Sequence, residues 1–147
     1  MSRKDWDSYF LEIAKIVSTR STCKRKKVGA VVIDLKTKAI LSTGYNGSLP
    51  GAEHCTDSLC YVVDNHCIRT IHAETNAINH AAKLGSTLNG CAIYCTTQPC
   101  WNCFKNIVQS GITAIYFHEL YLDLNNHTLY KKYLEDNPQI IYKRVPT

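Results

Sequence analysis

Two short stretches of the chain combine residues that bind a soft metal ion with one that moves protons: His72-Ala73-Glu74 and Pro99-Cys100-Trp101-Asn102-Cys103. One imidazole and two thiolates make a three-ligand zinc site with its fourth position open to water, the arrangement of a catalytic centre rather than a closed structural one. The spacing of Cys100 and Cys103 puts both sulfurs on one side of a helical turn. A helix N-terminus there also favours the thiolate form that binds metal. Glu74 is then free to accept a proton from an attacking water and to return it to the substrate and its leaving group. The plainer alternative is a structural zinc knot at Cys100 and Cys103 with His72 on the surface. Such a knot has no use for a carboxylate shuttle, and the joint presence of both stretches counts against it.

These residues must be positioned by their surroundings. From Asp5 to Thr19, Trp6, Tyr9, Phe10, Ile13, Ile16 and Val17 recur at spacings of three and four, which predicts an amphipathic helix. Val28–Asp34 and Ile40–Tyr45 are apolar, β-rich runs around the polar stretch 35–38 and read as a hairpin. Gly44, Asn46, Gly47, Pro50 and Gly51 open a long loop reaching to about Thr70. A helix over Ala73–Leu84 stops at Gly85, and Cys91–Thr96 reads as a strand. Pro99 suits the start of a helix over Cys100–Ser110, ended by Gly111. Ile112–Phe117 reads as a strand, a last helix spans about Asn125–Glu135, and Ile140-Ile141-Tyr142 forms a short closing strand. Strand–helix alternation implies at least one parallel pair. The expectation is α/β: one domain over residues 1–147, with a mixed five-stranded sheet between helices on both faces.

The pattern H-x-E…P-C-x-x-C resembles that of zinc-dependent nucleobase deaminases. Val28-Gly29-Ala30-Val31, Ser42-Thr43-Gly44-Tyr45-Asn46-Gly47, Ile71-His72-Ala73-Glu74-Thr75-Asn76-Ala77-Ile78 and Thr97-Gln98-Pro99-Cys100 extend the likeness. From about Cys23 to Phe117 the chain resembles the deoxycytidylate (dCMP) deaminases. The Gly-Tyr-Asn-Gly element favours that branch. Free-cytidine deaminases typically carry cysteine where His72 stands, and tRNA adenosine deaminases follow P-C-x-x-C with a Cys-Gly-Ala-like stretch where this chain has Cys103-Phe104-Lys105.

The resemblance implies a three-layer cytidine-deaminase-like fold and hydrolysis of dCMP to dUMP with release of ammonia, with dCTP a further candidate substrate. It implies that Asn46 contacts the sugar or base and that the Ala73 backbone lies near the amine. A 5′-phosphate needs a cation, and Lys24, Arg25 or Lys26 could supply it, Arg25 being favoured for its bidentate geometry. Tyr121 could reach the substrate or be a partly buried aromatic. Many members of the family are hexamers activated by dCTP and inhibited by dTTP, with the effector near Tyr45, Asn46, Gly47 and the helix carrying H-A-E. His80 could then stack on a base and Lys83 pair with a phosphate, Mg2+ accompanying the triphosphate; as an alternative, both are solvated helix positions.

Cys23, Cys55, Cys60 and Cys67 lie outside the first motif, and zinc held by them would staple the long loop. His54 or His66 could replace one of the four. Relatives of phage type carry such a second, structural zinc. Cys91 and Cys95 fall on a strand and read as core. No apolar run approaches the roughly 20 residues of a membrane span, and the N-terminus lacks the apolar core of a secretory signal, so a cytoplasmic protein with no membrane partner is expected. Lysine and arginine total 17 against 12 acidic residues, a net +5. That excess suits a small phosphorylated ligand, and it also leaves open a polynucleotide deaminase acting on tRNA adenosine or cytidine, for which the chain shows no device for extruding a base from a duplex.

Overall fold

The computed structural model describes residues 2–55, 60–121 and 126–146. Helix α1 (Trp6–Ser18) begins where the Asp5 carboxylate accepts the Ser8 N–H at 2.9 Å, and it buries Phe10, Leu11 and Ala14. Strand β1 (Gly29–Asp34) is buried over its first five residues. Its apolar run lacks alternation because both of its faces are covered. It turns into β2 (Ile40–Tyr45), with Gly29 opposite Tyr45.

The long segment that follows contains a small hairpin, β3 (Val62–Val63) and β4 (His66–Cys67). Asp64 and Asn65 turn it with φ of 50° and 62°, the conformation that two-residue hairpin turns demand. Two-residue strands are too short to show alternation, so the sequence reads here only as loop. An isolated bridge between Gly47 and Ile71 closes this segment at its base, with N–H···O distances of 3.2 and 2.8 Å.

Beyond it come α2 (Ala73–Lys83), β5 (Cys91–Thr97), α3 (Trp101–Gln109), β6 (Ala114–Glu119), α4 (His127–Asp136) and β7 (Ile141–Arg144). The expected last helix is present, although Asn125, its expected first residue, lies outside the described residues. The closing strand runs two residues past Tyr142.

The five-stranded sheet has the order β2-β1-β5-β6-β7. β1 is antiparallel to both neighbours, whereas β5, β6 and β7 are mutually parallel. One face carries α1, where Phe10 and Ala14 pack on Val31, Ile33 and Tyr94. The other carries α2, α3 and α4, where Ala77, Ala81, Phe104 and Tyr130 pack on Val32, Ile93 and Ile115. This is the three-layer mixed sheet that the sequence implies. No helix among the described residues is long and apolar enough to cross a membrane.

The first helix of the metal motif approaches the sheet unusually closely. A Cβ at Gly44 would collide with the Ala73 carbonyl oxygen and the Ala77 nitrogen. Three small residues of α2 (Ala73, Ala77 and Ala81) are fully buried at this contact side. Glycine at position 44 therefore sets how deeply α2, and His72 at its start, can seat. Gly44→Ala is expected to destabilise the protein by about 1–3 kcal/mol through overpacking, measured as a lowered denaturant midpoint. An unchanged midpoint would show that α2 is free to shift.

Candidate metal centre and its pocket

His72 is the N-cap of α2 and Cys100 the N-cap of α3, while Cys103 lies within the first turn of α3. The two helix starts meet outside the carboxyl ends of the parallel strands, where ligand sites of open α/β sheets form. His72 Nδ1 lies 3.5 Å from Cys100 Sγ and 3.3 Å from Cys103 Sγ. All three ligand atoms fall within 4.8 Å of one another, and they are the one group of three or more such donors among the described residues. A tetrahedral zinc with N and S ligands at ordinary lengths has an N···S edge of about 3.6 Å, so the donor set fits the ion. Thr75 Oγ1 lies 3.8 Å from Cys103 Sγ, behind the ligands.

Electrostatics favour a cation at this point. A hydrogen bond shared with Cys103, supported by His72, lowers Cys100 to about 4. The Cys103 thiol is pushed up, first by that shared proton and then by burial. His72 is raised, chiefly by its hydrogen bond to Cys100. The pair thus favours the thiolate at Cys100, and a coordinated cation would deprotonate the other sulfur outright. Glu74 is 4% exposed, and burial raises its carboxyl above the ordinary range.

A cavity of about 390 Å³ opens onto these residues, within the range of small-molecule sites. Its buried part is formed by Ala73, Glu74, Asn46 and Thr97 beside His72 and Cys100. The Thr97 hydroxyl oxygen is buried there without a hydrogen-bond partner among the described residues. Around the mouth stand Arg25, Lys26, Asn65, His66 and Tyr121. Arg25 Nη2 donates to Asn65 O and Oδ1 at 3.3 and 3.4 Å, reaching the tip of the β3–β4 hairpin. Lys26 Nζ pairs with Glu119 at 2.8 Å, which holds that carboxyl below its ordinary value.

The structure brings Glu74, His72, Cys100, Arg25, Lys26, Asn46, Ala73 and Tyr121 to one cavity, with Cys103 directly behind. Asn46 is also structural: its Oδ1 accepts the Val28 N–H at 2.9 Å and its Nδ2 donates to Lys26 O at 2.7 Å. It thereby pins the segment bearing Arg25 and Lys26 against the end of β2. Tyr45 and Gly47 do not line the cavity. They support it, since Tyr45 O accepts from Asn76 Nδ2 and Gly47 pairs with Ile71. His80 and Lys83 are exposed on the distal half of α2, away from the cavity, and His80 Nδ1 contacts Thr43 O at 2.7 Å.

Cys23, Cys55, Cys60 and Cys67 belong to no group of three or more close metal donors among the described residues. Hairpin pairing sets Cys67 opposite Val62, and its sulfur lies 3.3 Å from Thr70 Oγ1. Cys23 and Cys67 both border the cavity, and Cys55 is buried. In this arrangement the loop is tied by the hairpin, by the Gly47–Ile71 bridge and by Arg69 donating to Glu53 O at 2.6 Å. Cys91 and Cys95 are core residues, as their strand position implies. Sequence reasoning missed Asn65 and Thr70, and it raised His66 only as a stand-in metal ligand, because nothing in a turn-rich loop says that its hairpin folds back over the site. Thr97 and Gln98 were within reach, being adjacent to Pro99-Cys100.

Residues 4–119 match the model of the cytidine and deoxycytidylate deaminase zinc-binding region. The chain belongs to this family. It is 44% identical over 121 residues to ComE operon protein 2 of Bacillus subtilis, a match covering 82% of the chain and 63% of that protein. It is 38% identical over 129 residues to a deoxycytidylate deaminase of Mycobacterium phage D29, covering 80% and 97%. Against the deoxycytidylate deaminase of Schizosaccharomyces pombe it is 34% identical over 135 residues, covering 86% of the chain but 40% of that enzyme. The chain thus spans less than two thirds of two of these relatives. Among solved structures, a dCMP deaminase of cyanophage S-TIM5 in complex with dCMP and dUMP superposes with a TM-score of 0.77 at 27% identity, each chain fully covered.

Removing any one of three ligands leaves an open pair that holds zinc poorly. His72→Ala, Cys100→Ala and Cys103→Ala are each expected to lose this zinc, as measured by metal analysis of purified protein. Full occupancy of the site in His72→Ala would refute the ligand assignment. The same analysis of the unaltered chain counts the ions: two per chain is the expectation if Cys23, Cys55, Cys60 and Cys67 hold a second, structural zinc, and one would return those cysteines to the reading of small buried apolar residues.

Proposed function

We propose that the chain acts as a single catalytic domain that hydrolyses dCMP to dUMP and ammonia at a zinc ion held by His72, Cys100 and Cys103. The observation that carries this reading is the position of Glu74: buried, beside an imidazole–dithiolate donor set, in a cavity whose mouth bears two cations. The family and the relatives named deoxycytidylate deaminase support it, as does the superposition on an enzyme holding dCMP and dUMP.

Bound zinc would supply the Lewis acidity that brings ionisation of water towards neutral pH. Glu74 takes a proton from the attacking water as its oxygen bonds to C4 of the cytosine ring, and passes that proton to N3. It then delivers the second proton to the exocyclic amine, so that the C4–N bond breaks and ammonia departs. By the resemblance, the Ala73 backbone would lie near the amine, and Asn46, which lines the cavity, would contact the sugar or base. Arg25 and Lys26 would hold the 5′-phosphate at the mouth, Arg25 giving up its hydrogen bonds to Asn65 and Lys26 its pair with Glu119. That exchange of partners would tie the hairpin tip to substrate entry.

The same reading extends to a homo-oligomer, a hexamer by family resemblance, controlled by dCTP and dTTP. His80 and Lys83, outside the cavity, are the surface positions for such an effector. dCTP is the alternative substrate, because the phosphate end of the cavity opens to solvent. No cluster of three carboxylates that would suit Mg2+ occurs among the described residues.

Two substitutions test the chemistry. Glu74→Gln should retain zinc and lower kcat by about 10²–10⁴, followed by ammonia release. Arg25→Ala should raise KM for dCMP more than it lowers kcat, because a phosphate remote from C4 is held about equally in ground and transition states. Turnover of tRNA with none of dCMP or dCTP would replace this reading with the polynucleotide one.

A further inference from the structure

The family match ends at residue 119, yet two hydroxyls from beyond it reach the turn that carries the first metal thiolate. Tyr130 of α4 donates to the Pro99 carbonyl at 2.8 Å in the buried interior. Tyr142 of β7 accepts from Gln98 Nε2 at 2.6 Å. The other end of the same amide, Gln98 Oε1, accepts the Tyr121 N–H at 3.1 Å, and the Gln98 N–H donates to Glu119 O at 2.8 Å. Residues 98 and 99 thus have bonds to three later elements immediately before Cys100.

The rings that bring these hydroxyls in are themselves fixed. Phe104, on the turn of α3 after Cys103, meets Tyr130 and Tyr142 edge-on, with centroids 5.2 and 5.6 Å apart. Trp101 meets Tyr130 at 5.1 Å. Packing from α4 and β7 therefore grips both sides of Cys100: the backbone before it through hydroxyls, and the helix after it through rings.

From this we infer that Tyr130 and Tyr142 are positioning residues for the reaction. Tyr130 fixes the backbone that aims the Cys100 sulfur at the metal. Tyr142 orients the Gln98 amide, which in turn holds Tyr121 at the cavity mouth. The inference rests on the proposed metal centre, and it assigns the region after the family match a part in metal retention and substrate binding. Outer partners of metal ligands commonly govern affinity in this way, by narrowing the positions a ligand can take.

Tyrosine-to-phenylalanine changes test it, since the rings and their packing remain. Tyr94→Phe is the control: its hydroxyl donates to Asp7 Oδ1 at 2.5 Å, and its ring lies with Phe10 on the face that carries α1, away from the metal. Zinc release into excess chelator, well below the unfolding temperature, should be about tenfold faster in Tyr130→Phe than in the unaltered chain. Tyr142→Phe should raise KM for dCMP about threefold to tenfold, the scale of one lost hydrogen bond, with kcat little changed. Gln98→Met should raise KM likewise, and adding Tyr142→Phe to it should do no more, because both remove the same bond. Tyr94→Phe should move neither readout, even where it lowers the melting temperature. The inference is overturned if Tyr130→Phe and Tyr142→Phe match Tyr94→Phe in both measurements. Absence of dCMP turnover in the unaltered chain would instead overturn the proposed function, and the zinc-release comparison would still decide the positioning role.

Discussion

Two helices begin at the same point in space, and the rest of the molecule depends on that convergence. The N-termini of α2 and α3 bring one imidazole and two sulfurs within 4.8 Å of one another. A cation shared among them would satisfy all three donors at once; without one, His72 is raised by its hydrogen bond to Cys100, and Cys100 is lowered by its hydrogen bonds to Cys103 and His72. The sheet makes the convergence possible. Glycine in β2 and the alanine stripe of α2 let one helix seat deeply, and the end of β5 runs directly into the proline turn that starts the other.

A division of labour follows from this geometry. The interior of the site, with Glu74, Ala73 and Thr97, is built on regular elements whose backbones are locked in the sheet and helices. That suits proton transfers, which tolerate little displacement. The mouth is built from connecting segments: the stretch after α1, the β3–β4 hairpin and the chain after β6. Charged and polar residues there face solvent, where a hydrogen bond or ion pair such as Arg25 with Asn65 or Lys26 with Glu119 contributes little to stability. Under the proposed function, chemistry would rest on the core and ligand capture on the loops.

Legibility in the sequence followed the same division. His72, Glu74, Cys100 and Cys103 were readable because metal chemistry restricts residue types and a helical turn restricts their spacing. The strands β1 and β2, with α2 and α3, were readable from periodicity and from punctuation by Gly85, Pro99 and Gly111. The β3–β4 hairpin was not, since it rests on two left-handed residues, Asp64 and Asn65, rather than on any apolar pattern. The second ligand set, Cys23, Cys55, Cys60 and Cys67, turns on the path of that same loop, of which residues 56–59 lie outside the described residues. Cysteine count alone could not say that Cys67 would pair across the hairpin with Val62. Nor could the sequence say that tyrosines from α4 and β7 would bond to Gln98 and Pro99, because such contacts exist only once the parallel strands are stacked.

Everything proposed for this site requires that the converging helices hold a metal ion and leave Glu74 free of it. Diffraction from crystals of the protein, recorded on both sides of the zinc absorption edge, tests it most directly. The expected result is an anomalous peak about 2.0–2.3 Å from His72 Nδ1, Cys100 Sγ and Cys103 Sγ, with the Glu74 carboxylate outside bonding distance. No peak at that point, or a peak coordinated by Glu74 as a fourth protein ligand, would contradict it.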